Sequence, residues 1–189
     1  MQTGENTQKP GHRWFAWQLP RRIRRDESGS TAVEFGIVAL PFFALVLAIM
    51  ETALVFFAGQ MLETAVIDAG RLIRTGQAHQ QGFSQTKFRD QICDRLVAMF
   101  GNCKSNLVIK VKVLTTFGSA SGTKPIRPDG TLDTNSEYNQ GKAGEIIQVS
   151  AFYEWPLFVN KFGLNLADLG NGNRLLSGVT AFRNEPFPW

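Results

Sequence analysis

The sequence predicts an α+β fold: a long N-terminal helix, then a second helix and a small antiparallel sheet. Three observations carry that expectation. Sixteen residues from Phe35 to Met50 contain no charge, and after Glu51 the apolar run continues through TALVFFA to Ala58. Beyond it, apolar residues recur at three- and four-residue steps as far as Ile73, which is the spacing of one helix face. From Leu107 onward the period changes to two in separate short runs, so helices precede strands along the chain.

Composition narrows the class. A chain of 189 residues has room for one modest domain with appendages. A hydrophobic content of 43% excludes a disordered chain, and a mean hydropathy of −0.11 excludes a polytopic membrane protein. Two cysteines cannot build a disulfide-dense mini-protein or a four-cysteine zinc site. The net charge of +4 is uneven: residues 1–29 hold six basic side chains against three acidic ones. Four of the six are Arg21, Arg22, Arg24 and Arg25, crowded just before the apolar run. A basic cluster that short and that placed argues against nucleic acid as a partner.

The first helix is expected from about Ser30 to Thr75. Its greasy half, residues 30–58, reads as a transmembrane helix, because the 24 residues from 35 to 58 span roughly 36 Å at the helical rise. Arginines beside a span stay cytoplasmic, and the far flank has no positive residue before Arg71. The chain is therefore single-pass with its N-terminus cytoplasmic, and residues 59–189 form the extracytoplasmic domain, on the periplasmic side of the inner membrane. In the amphipathic half, Met61, Leu62, Ala65, Ala69, Leu72 and Ile73 alternate with Glu63, Asp68, Arg71 and Arg74, and Gly76 closes the helix. Pro41 removes a backbone donor within the span, either to shape packing between subunits or as a tolerated kink. Glu51 stands where a charge is expensive unless paired, which leaves a helix–helix contact in an assembly or a position near the outer interface.

The second helix starts after an N-cap at Ser84, carries the stripe Phe88, Ile92, Leu96, Met99 and Phe100, and stops at Gly101. Cys93 and Cys103 bracket its end. In an oxidising compartment they read as a disulfide closing a loop of about ten residues, worth roughly 2 to 3 kcal/mol in the chain-entropy model. Leu107 to Phe117 is the first strand, with Leu107, Ile109, Val111 and Val113 inward and Lys110 and Lys112 on the wet side. Residues 118–144 form a 27-residue surface excursion, expected to be a mobile loop or a partner contact. Glu145 to Trp155 and Leu175 to Arg183 are the other two strands, and Leu157 to Leu166 a short helix or turn. The aromatic tail Phe187-Pro188-Trp189 either packs back or offers a contact patch. The chain has no Ser-His-Asp set, metal cluster, P-loop or glycine-rich nucleotide turn. Its histidines are His12 in the leader and His79, expected to be a solvated linker residue. The expectation is a non-enzymatic protein without a cofactor or metal.

The most specific signal lies before the span, at Gly29-Ser30-Thr31-Ala32-Val33-Glu34-Phe35. A glycine follows a basic leader, a carboxylate stands five residues later, and the apolar helix begins at once. This resembles the prepilin-peptidase site of type IV pilin-like proteins, cut on the cytoplasmic side between Gly29 and Ser30. Cutting there would free an amine on Ser30. In a bundle of parallel helices, that amine can reach the Glu34 carboxylate of a neighbour and fix the axial register. The other reading of Glu34 is a headgroup-level carboxylate held by the helix dipole.

The segment DESGSTAVEFGIVALPFFALVLAIMETALVF further resembles the N-terminus of TadE-like (TadE/TadG family) proteins of the tight-adherence, or Flp, pilus system. The similarity covers residues 26 to 60, including Pro41 and Glu51, and Phe182-Arg183-Asn184-Glu185-Pro186-Phe187 is similar to the tail of many such proteins. The resemblance implies a pilin-like fold and a minor pseudopilin anchored in the bacterial inner membrane. Implied partners are a prepilin peptidase, other pilins or pseudopilins, and the inner-membrane assembly platform. Glu34, Phe35 and Glu51 are the assembly residues on this reading. The alternative is an uncleaved single-pass scaffold or binding protein of the envelope.

Overall fold

Helix α1 runs from Ser28 to Arg74, 47 residues with Pro41 inside it, in a computed structural model that describes residues 28–96, 100–158 and 166–188. The expected leader with its four arginines, Met99 of the expected stripe, most of the expected Leu157–Leu166 element and Trp189 lie outside the described residues. The chain divides into two units, Met1–Phe43 and Ala44–Trp189. In the first, the described residues are the start of α1, with Val33, Phe35, Ile37, Leu40 and Phe42 all exposed. Within α1 lies the one described helix that is long and apolar enough to cross a membrane, and it fits a single-pass anchor.

The second unit is α+β. The rest of α1 is followed by α2 (Gln77–Gln80), α3 (Gln85–Leu96), α4 (Cys103–Asn106), β1 (Val108–Leu114), β2 (Glu137–Tyr138), β3 (Ile146–Trp155) and β4 (Arg174–Arg183). Gly76 takes positive φ where α1 gives way to α2, the left-handed residue expected of a helix stop. At the start of α3 the Lys87 amide donates to Ser84 Oγ at 3.3 Å, the N-cap bond anticipated for Ser84.

The sheet has four strands in the order β2-β1-β3-β4. β3 pairs antiparallel with β1 (Val111↔Val149) and with β4 (Ala151↔Gly178). A purely antiparallel sheet was expected; the sheet is mixed, because β2 joins β1 in parallel through Lys110↔Glu137 and Val111↔Tyr138. A two-residue strand carries no alternation, so nothing in residues 118–144 marked it. β1 also ends at Leu114, short of Phe117, which begins a 3-10 turn over Phe117–Ser119.

One face of the sheet carries the main core. Leu62, Val66, Ala69 and Ile73 of α1 and Phe88, Ile92 and Leu96 of α3 join Ile109, Val111, Ile147, Val149 and Ala151, all buried. Each large side chain so buried contributes about 1.5–3 kcal/mol. α1 passes over β4 with almost no gap: a Cβ on Gly178 would lie 3.1 Å from Leu62 O and from Glu63 Cα, and one on Gly70 would lie 2.9 Å from Phe182 Cε1. The opposite face holds a smaller cluster of Val108, Leu132, Phe152, Leu169 and Leu175, with Ile126 packed against it. Leu132 and Ile126 belong to the 118–144 excursion, which therefore covers the sheet's second face. Ion pairs tie it down, Lys110–Asp133 at 3.0 Å and Lys124–Asp168 at 2.7 Å. Lys110, expected on the solvated side of β1, is thus half-buried and paired.

Candidate functional site

The candidate site is the N-terminal part of α1, where chemistry-bearing residues punctuate an apolar helix. Gly29 and Ser30 fall in its first turn. Neither conformation nor packing requires glycine at 29: its φ is not positive, and a Cβ built there meets nothing within 4 Å. A glycine in a helix costs roughly 1 kcal/mol relative to alanine, so the fold gains nothing from this one. Ser30 Oγ donates to Glu34 Oε1 at 3.0 Å, an exposed contact across one helical turn. Glu34 therefore stands on the same helix face as the atom that cleavage would turn into an N-terminus. Phe35 beside it is 71% exposed, so nothing among the described residues covers it.

Glu51 is placed differently. It is only 8% exposed, and its Oε1 accepts a hydrogen bond from the backbone N–H of Phe158. Both residues belong to the second unit. The buried face of α1 begins nearby, with Ala48, Glu51, Val55 and Ala58, while Leu54, Phe56 and Phe57 on the other side remain exposed. The expected transmembrane range of 30–58 thus overlaps the part of α1 that the domain packs on. The intramolecular partner, Phe158 in the segment after β3, was invisible to sequence reading, since 107 residues separate it from Glu51.

Cys93 and Cys103 form a disulfide with a Cα–Cα distance of 5.7 Å, joining the end of α3 to α4. Next to it opens a cleft of about 730 Å³, lined among others by Asn102, Asn106, Tyr153, Trp155, Arg89 and Glu154. Tyr153 donates to Gly101 O at 2.7 Å and stacks edge-on against Phe100. Glu154 accepts from the amides of Asn171 and Asn173, so the carboxylate in the cleft is already engaged. Among the described residues no group of three His, Cys, Asp or Glu side chains could hold a metal ion.

The C-terminal Phe-Arg-Asn-Glu-Pro-Phe segment packs back on the domain. Phe182 covers Gly70, and Asn184 Nδ2 donates to the carbonyls of Gln140 and Lys142. The Glu185 amide donates to Arg74 O at 2.9 Å while its carboxylate pairs with Arg74 Nε at 3.3 Å, which ties the tail to the end of α1. Phe187 lies against His79, whose Nε2 is 2.6 Å from Gly141 O. His79 is thus part of this junction, where the sequence had suggested a solvated linker. The tail's pattern has a structural purpose that no motif reading supplied.

Against known proteins, residues 29–71 match the family model described as TadE-like protein, which stands for pilus-associated structural proteins. No curated protein and no solved structure matches the chain. The match begins at Gly29 and ends three residues before the end of α1.

Proposed function

With a TadE-like segment over residues 29–71 as the premise, we propose that the protein is a minor pseudopilin required for assembly of a tight-adherence (Flp) pilus. Residues 1–29 are its leader, removed by a prepilin peptidase between Gly29 and Ser30. The apolar part of α1 holds the mature chain in the inner membrane, with the cytoplasmic side set by Arg21, Arg22, Arg24 and Arg25. The domain that follows is periplasmic, where other pilins and the assembly platform meet it. The observation that carries this reading is the start of the family match at Gly29, the residue after which the motif is cut. The free space around Gly29 supports it, since packing does not explain the glycine. Exposure of Glu34 and Phe35 supports an assembly role, because a neighbouring helix can reach both.

The mechanism follows from desolvation. A carboxylate at the bilayer edge costs a few kcal/mol when unpaired, and a freed amine on an adjacent chain offsets that cost only in one register. The test is the intact mass of the protein extracted from membranes of pilus-producing cells. A chain beginning at Ser30 is expected, with Gly29→Leu blocking the cut. Glu34→Ala should be cut normally yet fail to enter the assembly. A full-length wild-type chain in those cells would instead establish the uncleaved envelope scaffold.

A further inference from the structure

We propose that the cleft beside the disulfide binds an acidic saccharide carrying one carboxylate, with Arg89 as the partner of that carboxylate. The inference goes beyond the pilus reading and does not depend on it. The cleft measures about 730 Å³, within the roughly 300–1,000 Å³ of small-molecule sites, and all its lining residues belong to the second unit. Among the described residues lining it, Arg89 of α3 is the one cation and Glu154 of β3 the one anion. The two do not pair. Glu154 Oε2 instead accepts from Asn171 Nδ2 at 3.0 Å and from Asn173 Nδ2 at 3.4 Å. Arg89 is left with no hydrogen bond or ion pair to any described residue, and its Nε is buried. A buried donor left unmade is costly, so an arginine in this state calls for an acceptor. The acceptor that fits a planar guanidinium is a planar carboxylate. Glu154 on the same cleft repels a second negative charge, and no other lining cation is there to hold a phosphate chain.

The rest of the surface suits hydroxyls. The side-chain amide of Asn102 and the hydroxyl of Thr134 line the cleft without a partner among the described residues. Trp155 adds a half-buried aromatic wall, braced by Phe100 in an edge-on contact with ring centroids 5.6 Å apart. A pyranose matches this set: its C–H face meets the negative face of a ring, and its hydroxyls exchange hydrogen bonds with the amide and the hydroxyl. An extended peptide would ask for a free strand edge. Where β1 starts, the Leu107 N–H is already given to Cys103 O at 2.8 Å.

The experiment is calorimetric titration of the full chain in detergent micelles. Cellobiouronic acid should bind saturably, and cellobiose, the same disaccharide without the carboxylate, should bind about tenfold or more weakly. Arg89→Gln should abolish that difference by weakening the acid alone. Thr134→Trp changes an exposed position on the cleft wall, so it fills the cleft without touching the core and should weaken both sugars. It keeps the test open should Arg89→Gln fail to fold. No saturable heat with either sugar overturns the inference, as does equal affinity for the two. An Arg89→Gln chain that still prefers the acid, or a Thr134→Trp chain that binds as wild type does, overturns it as well. Tighter binding of N-acetyl-triglycine than of cellobiouronic acid also overturns it, and would mark the cleft as a site for peptide carboxylates.

Discussion

Asp168 is the residue through which one covering segment of the sheet is tied to another. Lys124 Nζ donates to it at 2.7 Å, Arg174 Nε lies 3.6 Å away and the Leu175 amide donates at 3.2 Å. Partial burial acts to raise its pKa, but the Lys124 and Leu175 hydrogen bonds and the two cations outweigh burial and hold the carboxyl below its ordinary value. A carboxylate with a depressed folded-state pKa stabilises the fold above its ordinary titration range, and that stability is lost as pH falls through the folded value. Asp168→Asn should therefore cost about 1 kcal/mol near neutral pH, since the pair is partly solvated. The gap from wild type should close on acidification below the ordinary carboxylate range. Urea unfolding of the detergent-solubilised chain at neutral and acid pH measures both, and a gap independent of pH would show that the charge is not what matters. Asp133 works in the same sense, its pKa lowered by bonds from Lys110 and from the Asn135 amide.

At the scale of elements, the contact between α1 and β4 is set by two glycines of unequal rigidity. A Cβ at Gly178 meets backbone, Leu62 O and Glu63 Cα, and backbone in a packed helix cannot retreat. A Cβ at Gly70 meets the edge of the Phe182 ring and the Thr180 methyl, which can turn aside. Gly178→Ala is expected to cost about 1–3 kcal/mol as overpacking. Gly70→Ala should come out near neutral, because relief of roughly 1 kcal/mol of helix propensity offsets the shifted ring. Thermal unfolding of the two variants decides it; equal losses would mean that helix and strand can separate more easily than this packing implies. The helix-facing sides of β1 and β3 were legible, since Ile109, Val111, Ile147 and Val149 obey a period of two and one face of the sheet is dry. The other face was not. Val108 and Phe152 are covered by Leu132 from a Gly-, Ser- and Pro-rich stretch, and what holds that stretch is charge pairing across 23 and 44 residues. A polar composition reads as a loose loop until its partners are known. Glu51 shows the same limit: its position in an apolar run was plain, but its partner is a backbone amide 107 residues away.

At the scale of the molecule, net charge is unevenly divided along the chain. Residues 1–29 carry three of the four net positive charges, while the chain from Ser30 holds 14 basic and 13 acidic residues. Beyond the apolar run the nearest charges, Glu63, Asp68, Arg71 and Arg74, cancel, so on the proposed topology the bias that orients the helix lies in the leader. On the proposed topology the disulfide reports the outcome. Cys93 and Cys103, 2% and 7% exposed, form a disulfide of the kind that persists in oxidising compartments, so a domain left in the cytoplasm would carry two thiols. Replacing Arg21, Arg22, Arg24 and Arg25 together by glutamine should produce a population whose denatured chains react with a thiol-specific polyethylene glycol before any reduction. Wild type should not react. Gly29→Leu separates orientation from processing, because its leader is intact and its domain should still cross. It should therefore be uncut and fully oxidised, whereas the arginine variant should be partly reduced. Full oxidation of both would show that the apolar helix orients itself without the leader. Reduction of both would show that export depends on the cut, and the arginines would lose their role as the topology signal.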